Sequence, residues 1–520
     1  MKKKPSFIPY NQDQITFLPP SLEDLIPESH VVRLVNRAID HISLSGLLSK
    51  YEGGGRSSYN PVMMLKIIIY AYIDKVYSCR RIEKACRENV MYMWLAGGAT
   101  PDFITINRFR GERMKDALLD VFTEIVALLA DEGYIKLENY FLDGTKIEAN
   151  ANKYSWVWGK STKRYKENLR LKCAELFAEI EKENEYENAE YGDRNLEELG
   201  VGEKINSEAI KAVSERINEK LLKEPKNREL KKARRLIERD YLPRMEKYEK
   251  QEEILAERRS YSKTDKDATF MRMKEDHMRN GQLKPGYNVQ IGTEDQFILN
   301  YSIHQRPGDT SCMIEHLERA KEVLGKLPEN LCADAGYGSE ENYEYLKGEE
   351  VKNYVKYNTF HKEDTKKWKA DITKVQNWDY DEQSDEYTCG YGRKLVFVYE
   401  KHDKSDNGYK STIRVYRGTA CEDCPHREIC VKSKRPGYNR QIYINRSLNV
   451  LKAEAKNNLT SENGLALRSK RAVDVESVFG NIKGNFETRR FLLRGLEKVD
   501  IEWGLICIAH NIRKMAAVKI

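Results

Sequence analysis

No apolar stretch of this chain reaches the roughly 20 residues that a bilayer-spanning helix needs. The longest, residues 62–73, is interrupted by Lys66. The first ten residues carry three lysines but no apolar run follows them, so no signal peptide is expected there. With 14 prolines and 31 glycines in 520 residues, the collagen-like and low-complexity classes are excluded. Ten cysteines make no disulfide scaffold, and without an export signal they are expected to stay reduced. Charge of one sign is in short surplus too: 89 Lys and Arg against 82 Asp and Glu leave +7. What the chain does have is 40% hydrophobic and 33% charged residues, enough to bury a sizeable core. Its length suits about three to four domains of a soluble intracellular protein.

The charge is unevenly spread. Residues 161–260 hold 24 basic and 24 acidic side chains, so the whole excess lies outside them. A basic remainder suits a polyanionic partner, because neutralised phosphates release counterions. The balanced segment, rich in Glu, Lys, Arg and Leu, predicts long salt-bridge-laced helices, read as an antiparallel pair.

Along the chain, Val31, Leu34, Val35, Ala38 and Ile39 have helical spacing. Pro61 opens an apolar helix to about Tyr72, at a position where its missing N–H costs nothing. Ser78 is placed to cap a short helix, and Pro101 and Asp102 mark a break. Thr105 to Ala130 reads as one long amphipathic helix with Arg108, Arg110 and Arg113 in its first turns. This helical set is similar to a helix-turn-helix DNA reader. A helical bundle with arginines on a solvated face fits the pattern equally well. Further on, residues 138–143, 331–334 and 351–357 read as strands, 287–291 and 297–303 as a hairpin, and 311–324 as a helix. Residues 361–449 are β-leaning, and 460–514 return to helix, so strands separated by helices indicate an α/β core.

Three carboxylates stand out. Asp143 and Asp334 each end an apolar strand and lead into glycine, at the edge of an α/β sheet where ligands bind. Either one alone reads as a turn cap. Glu476 borders the helical stripe of Val475, Phe479 and Ile482, with Lys483 two turns further along the same side. On periodicity alone, it is an ordinary boundary glutamate.

Taken with their neighbouring motifs, these stretches resemble the DDE transposases of bacterial insertion sequences, in the branch with a β-rich insertion between the second Asp and the Glu. Residues 53–66 (GGGRSSYNPVMMLK), 78–86 (SCRRIEKAC) and 101–110 (PDFITINRFR) are similar to that family's N-terminal DNA-binding region. Residues 143–154 (DGTKIEANANKY), 334–339 (DAGYGS) and 475–483 (VESVFGNIK) are similar to its three acidic blocks. The resemblance implies a ribonuclease-H-like catalytic core with Asp143, Asp334 and Glu476 as a triad holding Mg2+ or Mn2+. It further implies a helical DNA-binding domain (1–135), a core assembled from 136–160, 261–360 and 451–520, a charged helical insertion (161–260) and a β-rich insertion with a Cys cluster (361–450). Related transposases carry Tyr-x2-Arg-x3-Glu-x6-Lys in the Glu helix. Here Glu476 and Lys483 fit, the arginine stands one residue off at Arg471, and no tyrosine stands at the expected place.

The implied partners are double-stranded DNA, as terminal inverted repeats and target, and further copies of the chain in a homodimer or larger assembly. The implied location is the bacterial cytoplasm, on the nucleoid. DNA contacts are expected from Lys483, Arg471, Arg108 and Arg110. Two in-line steps, hydrolysis and joining of a 3′-OH, suit two divalent ions roughly 4 Å apart. A nuclease on the same core that cuts without joining, and a non-catalytic DNA-binding repressor, are the alternatives.

Cys389, Cys421, Cys424 and Cys430 fall close together, the last three as Cys-x2-Cys-x5-Cys. They are either ligands of a structural Zn2+, with His426 a substitute ligand, or four reduced packing thiols. The same region carries Trp368 and Trp378, which either stack on unpaired bases or fill a small core.

Overall fold

The computed structural model describes residues 21–51, 58–191, 205–273, 281–433, 435 and 437–518, with backbone alone for 181–191. The chain's opening residues and the glycine run at 53–55 lie outside the described residues.

The first helices, Val31–His41, Pro61–Ile73 and Cys79–Glu88, form where the apolar spacing places them. The Asn60 side chain caps the second, accepting from the Val62 and Met63 amides at 2.8 and 3.3 Å. Ser78 stands at the cap of the third but its side chain makes no capping bond. The single helix expected over 105–130 is instead two. Asp102 caps Phe103–Arg108 through the Ile104 and Thr105 amides, a π turn follows at Phe109–Arg113, and the second helix is Leu118–Asp131. Gly111 sits inside the wide turn, where helix propensity is weakest.

The central sheet has five strands along its main path. Strand β1 is Asn139–Glu148. After the short pair β2 (Trp156–Trp158) and β3 (Ser260–Ser262) come β4 (Thr269–Arg272), β5 (Leu283–Glu294), β6 (Phe297–His304), β7 (Asn330–Ala333) and β8 (Lys352–Val355). The order is β4-β5-β1-β7-β8, with β6 also on β5. β5 runs antiparallel to β1, β4 and β6, whereas β1, β7 and β8 are mutually parallel. The hairpin connection is shorter than the five residues expected. Asp295 and Gln296 both have positive φ (50° and 64°), the two-residue turn whose twist matches the flanking strands.

Residues from the N-terminal helices, the sheet and the C-terminal helices share one continuous apolar core. Leu496–Val518 is buried on nearly every face, packed on Pro61–Ile73, Leu118–Asp131 and β6.

The charged segment is more than a pair. Three helical runs share one core: Gly159–Tyr191, Ser207–Lys223, and Arg228–Leu236, which continues through a π turn at Ile237–Tyr241 into Leu242–Leu255, the stretch that packs on both of the others. Pro225 breaks the chain between the second and third, and Asn227 caps the restart. These helices enclose their own core, including Leu169, Cys173, Ile210, Ile217, Ile237 and Met245. Strands β2 and β3 pair antiparallel at the base.

The β-leaning region is a second sheet, antiparallel throughout: β9 (Asp379–Asp381), β10 (Glu386–Thr388), β11 (Lys394–Lys404), β12 (Lys410–Gly418) and β13 (Gln441–Ile444). Trp378, Leu395, Tyr416, Ile442 and Ile444 form its small core. Among the described residues no helix is long and apolar enough to cross a membrane.

Candidate active site

The strand carrying the first aspartate is longer than expected. β1 continues past Asp143 to Glu148 because β5 pairs with it throughout that stretch. Its parallel pairing with β7 nevertheless stops at Leu142 opposite Ala333. Asp143 and Asp334 are the next residue on each strand. Both therefore leave the paired stretch at the same level, where the sheet opens. Asp143 Oδ1 accepts from the Gly144 amide at 2.8 Å, and Asp334 Oδ1 accepts from the Gly336 amide at 2.7 Å.

Glu476 arrives from the C-terminal helices. Glu462–Arg471 gives way to a π turn at Ala472–Glu476, then to Ser477–Gly480 and a second π turn at Asn481–Asn485. In a regular α-helix, residues four apart share a face. The wide turn adds one residue, so Arg471 and Glu476, five apart, come to the same side. Arg471 Nη1 lies 3.3 Å from Asp143 Oδ2 and its Nη2 lies 3.6 Å from Glu476 Oε1. The arginine that is one place off in sequence is thus brought into phase by the π turn. Its side chain is 11% exposed, against 60% for Glu476.

Lys483 completes the edge. Its ammonium donates to Thr145 Oγ1 at 2.7 Å, and Thr145 lies two residues beyond Asp143 on the same face of β1. Asp474, on the opposite side of the π turn, is buried and accepts from Thr293 Oγ1 at 2.7 Å and the Gln296 amide at 3.0 Å. Burial raises its pKa, and the contact ties the Glu-bearing helix to the β5–β6 hairpin.

Several polar residues here escape a reading of apolar patterns. Asn288 and Gln290 lie fully buried on β5, Asp309 follows β6, and Tyr337 belongs to the turn after Asp334. Burial holds the Tyr337 hydroxyl far above its ordinary pKa, and the carboxylates of Asp309, Asp143 and Asp334 push it further. The detectable signal was Asn and Gln at alternate positions of an otherwise apolar strand.

The expected DNA-binding arginines divide. Arg108 is exposed at the end of Phe103–Arg108. Arg110 is not on the surface: it is 6% exposed, and its Nη1 donates to the Tyr77 carbonyl at 3.0 Å. The π turn that ends the first helix rotates it inward, so its expected phosphate contact is corrected to a contact inside the helical core.

The four clustered cysteines gather at one end of the second sheet. Cys389 follows β10 and its Sγ accepts from the Arg393 amide at 3.3 Å. Cys421 lies beneath Gly418, the residue of β12 paired with Leu395. Burial pushes the Cys430 thiol up, with the other three thiols adding to the shift. Among the described residues, no three His, Cys, Asp or Glu side chains converge as a ready-made metal site. At the carboxylates, the Arg471 guanidinium lies between Asp143 and Glu476.

A family model described as "Transposase DDE domain" matches residues 388–516, which include Glu476 and Lys483. A second, described as "Transposase domain (DUF772)", matches residues 20–112, the N-terminal helices with Arg108. Together the two matches indicate a DDE transposase of the insertion-sequence type. No curated protein and no solved structure matches the chain.

Proposed function

We propose that this chain is a DNA transposase that binds the terminal inverted repeats of an insertion sequence, cleaves its ends by metal-assisted hydrolysis and joins the 3′-OH to target DNA. The observation that carries the reading is the bridge from Asp143 through Arg471 to Glu476, with Asp334 on the adjoining strand. Asp143 and Glu476, from distant parts of the chain, share one arginine at a sheet edge, and Asp334 follows the strand that pairs beside the Asp143 strand. The β6-β5-β1-β7-β8 order, with the last three strands parallel, is the arrangement expected of a ribonuclease-H-like core.

Carboxylate oxygens suit a hard divalent cation, and Asp143, Asp334 and Glu476 would hold Mg2+ or Mn2+. When bound, such ions activate the attacking oxygen and stabilise the leaving one. The chain's own residues do the rest. Lys483 offers a point charge to a phosphate beside the carboxylates. Arg471 holds the Asp143 and Glu476 carboxylates near each other and is a second cationic contact for the strand. Arg108 presents a cation on the N-terminal helices, which are read as the end-binding region. The three-helix insertion, with balanced charge, is read as a contact between copies on DNA, and the four thiols as a donor set for a structural Zn2+. The protein would act in the bacterial cytoplasm, on the nucleoid.

Strand transfer of a pre-cleaved end tests the reading. The wild-type chain should join the 3′-OH to a target duplex. Asp143→Ala, Asp334→Ala and Glu476→Ala should each lower cleavage and joining by about three orders of magnitude, the loss of several kcal/mol of charge stabilisation. End binding should be kept. Cleavage without joining would identify a nuclease, and binding with neither would identify a repressor.

A further inference from the structure

Beneath the two aspartates lies a buried hydrogen-bonded unit that touches both of their motifs. In the β1–β5 register, Gln290 stands opposite Gly144, the residue after Asp143. A Cβ at Gly144 would collide with the Gln290 amide, so the glycine is what lets that side chain lie across β1. The same amide reaches the second motif, where its Oε1 accepts from the hydroxyl of Tyr337, three residues after Asp334. Its Nε2 donates to Asn288 Oδ1 and to Asp309 Oδ1, both at 3.1 Å. Asn288 Nδ2 donates to the same Asp309 oxygen at 2.8 Å.

Asp309 in turn opens a short link back to the Asp334 turn. The hydroxyl of the next residue, Thr310, donates to the Gly336 carbonyl at 2.5 Å. A Cβ at Gly336 would lie 2.9 Å from Asp334 Oδ1 and 3.8 Å from Asp309 Oδ2, so these carboxylates face one small space. The turn is held from below by Asn342, whose Nδ2 donates to the Thr310 and Tyr337 carbonyls at 2.9 and 2.7 Å.

Gln290 is fully buried and has every amide hydrogen and its carbonyl engaged. An apolar side chain would fill the same volume without the cost of desolvating an amide. What the polar version adds is direction. Partners fixed by hydrogen bonds in a low-dielectric interior have one geometry, whereas apolar contacts tolerate sliding.

We infer that Gln290, with Tyr337 and Asp309, is a positioning unit that fixes Asp143 relative to Asp334 and thereby sets how tightly the pair binds divalent cations. The inference rests on the reading of those aspartates as metal ligands. None of its three members needs to touch the ion. The effect is the one that outer partners of metal ligands exert, which is worth about 10- to 100-fold in affinity.

The test is Mn2+ binding to the full-length protein, followed by calorimetry and, independently, by the metal dependence of end cleavage. Tyr337→Phe keeps the buried ring and removes only the hydroxyl, and Gln290→Leu keeps the volume. Both should raise the Mn2+ concentration at half-saturation about tenfold. End binding should be unchanged, and cleavage should recover at saturating metal. A purely structural role would lower the melting temperature and leave the metal midpoint in place. A wild-type midpoint in Tyr337→Phe therefore overturns the inference, even if Gln290→Leu fails to fold. Asp143→Asn separates the two levels. If it loses Mn2+ binding while Tyr337→Phe does not, only the positioning role falls. If it binds Mn2+ like the wild type, the metal-site reading falls and takes the inference with it.

Discussion

Arg471 and Asp143 are 328 positions apart in the chain and 3.3 Å apart in the fold, guanidinium Nη1 to carboxylate Oδ2. The contact is largely shielded, with side-chain exposures of 11% and 17%. It puts a fixed positive charge where a divalent cation would compete for the same carboxylate oxygens.

Replacing that arginine therefore separates two effects. Arg471→Ala should cost about 1–3 kcal/mol of stability, because it strips a shielded carboxylate of its partner. Added Mn2+ should then raise the melting temperature of the variant more than that of the wild type, since the ion replaces the lost charge. Thermal unfolding with and without Mn2+ checks this, and equal gains in both proteins would count against it.

The charged helices have a core of their own and leave the main sheet through β2 and β3. Excising residues 161–254 and closing the gap with a short glycine linker should leave the main core folded. Oligomer assembly on end DNA, read by light scattering, should fall more than single-end binding, read by gel shift. The reverse order of losses would assign the bundle to DNA.

Acid should weaken the C-terminal helix through His510. Burial lowers its pKa to about 4. Its Nε2 faces the Gln296 carbonyl at 2.9 Å and its Nδ1 faces the Asn481 amide nitrogen at 2.9 Å, an arrangement that suits the neutral ring donating at Nε2. The unfolded chain, with an ordinary histidine pKa near 6.5, takes up the proton first. This contribution to stability is thus complete above about pH 6.5 and is lost as pH falls towards about 4, by roughly 3 kcal/mol in all. Urea midpoints of the wild type and His510→Gln, compared across that range, should converge as the pH drops. A constant difference would exclude the linkage.

In the second sheet, Trp378 is 7% exposed and its Nε1 donates to the Ile372 carbonyl at 2.7 Å. Of the two roles its composition allows, it fills the small core. Trp378→Ala should cost about 3–5 kcal/mol locally, seen as loss of fluorescence-monitored stability. Trp368 is half-buried with Lys374 over its ring at 4.7 Å. Trp368→Ala should leave that stability nearly intact.

The sequence by itself determined the parts whose signal is local. Apolar spacing placed Val31–His41, Pro61–Ile73 and Met313–Leu324, and short apolar runs placed β7, β8 and the β5–β6 hairpin, because burial of one face leaves a period in the chain. The acidic motifs were legible as well, each being an acidic side chain set beside apolar residues. Only the tertiary structure decided what meets what. A period reports which face is buried and not which distant element covers it. That is why Arg110 turned inward and why the described residues of the charged segment form three helical runs rather than a pair. The π turn before Glu476 is the clearest case. One extra residue shifts the phase by about 100°, and no local pattern says whether an α-helix will absorb it or a wide turn will. The pairing of β1 with β5 likewise placed Gln290 over Gly144, because strand register is set by packing across the whole sheet and not within either strand.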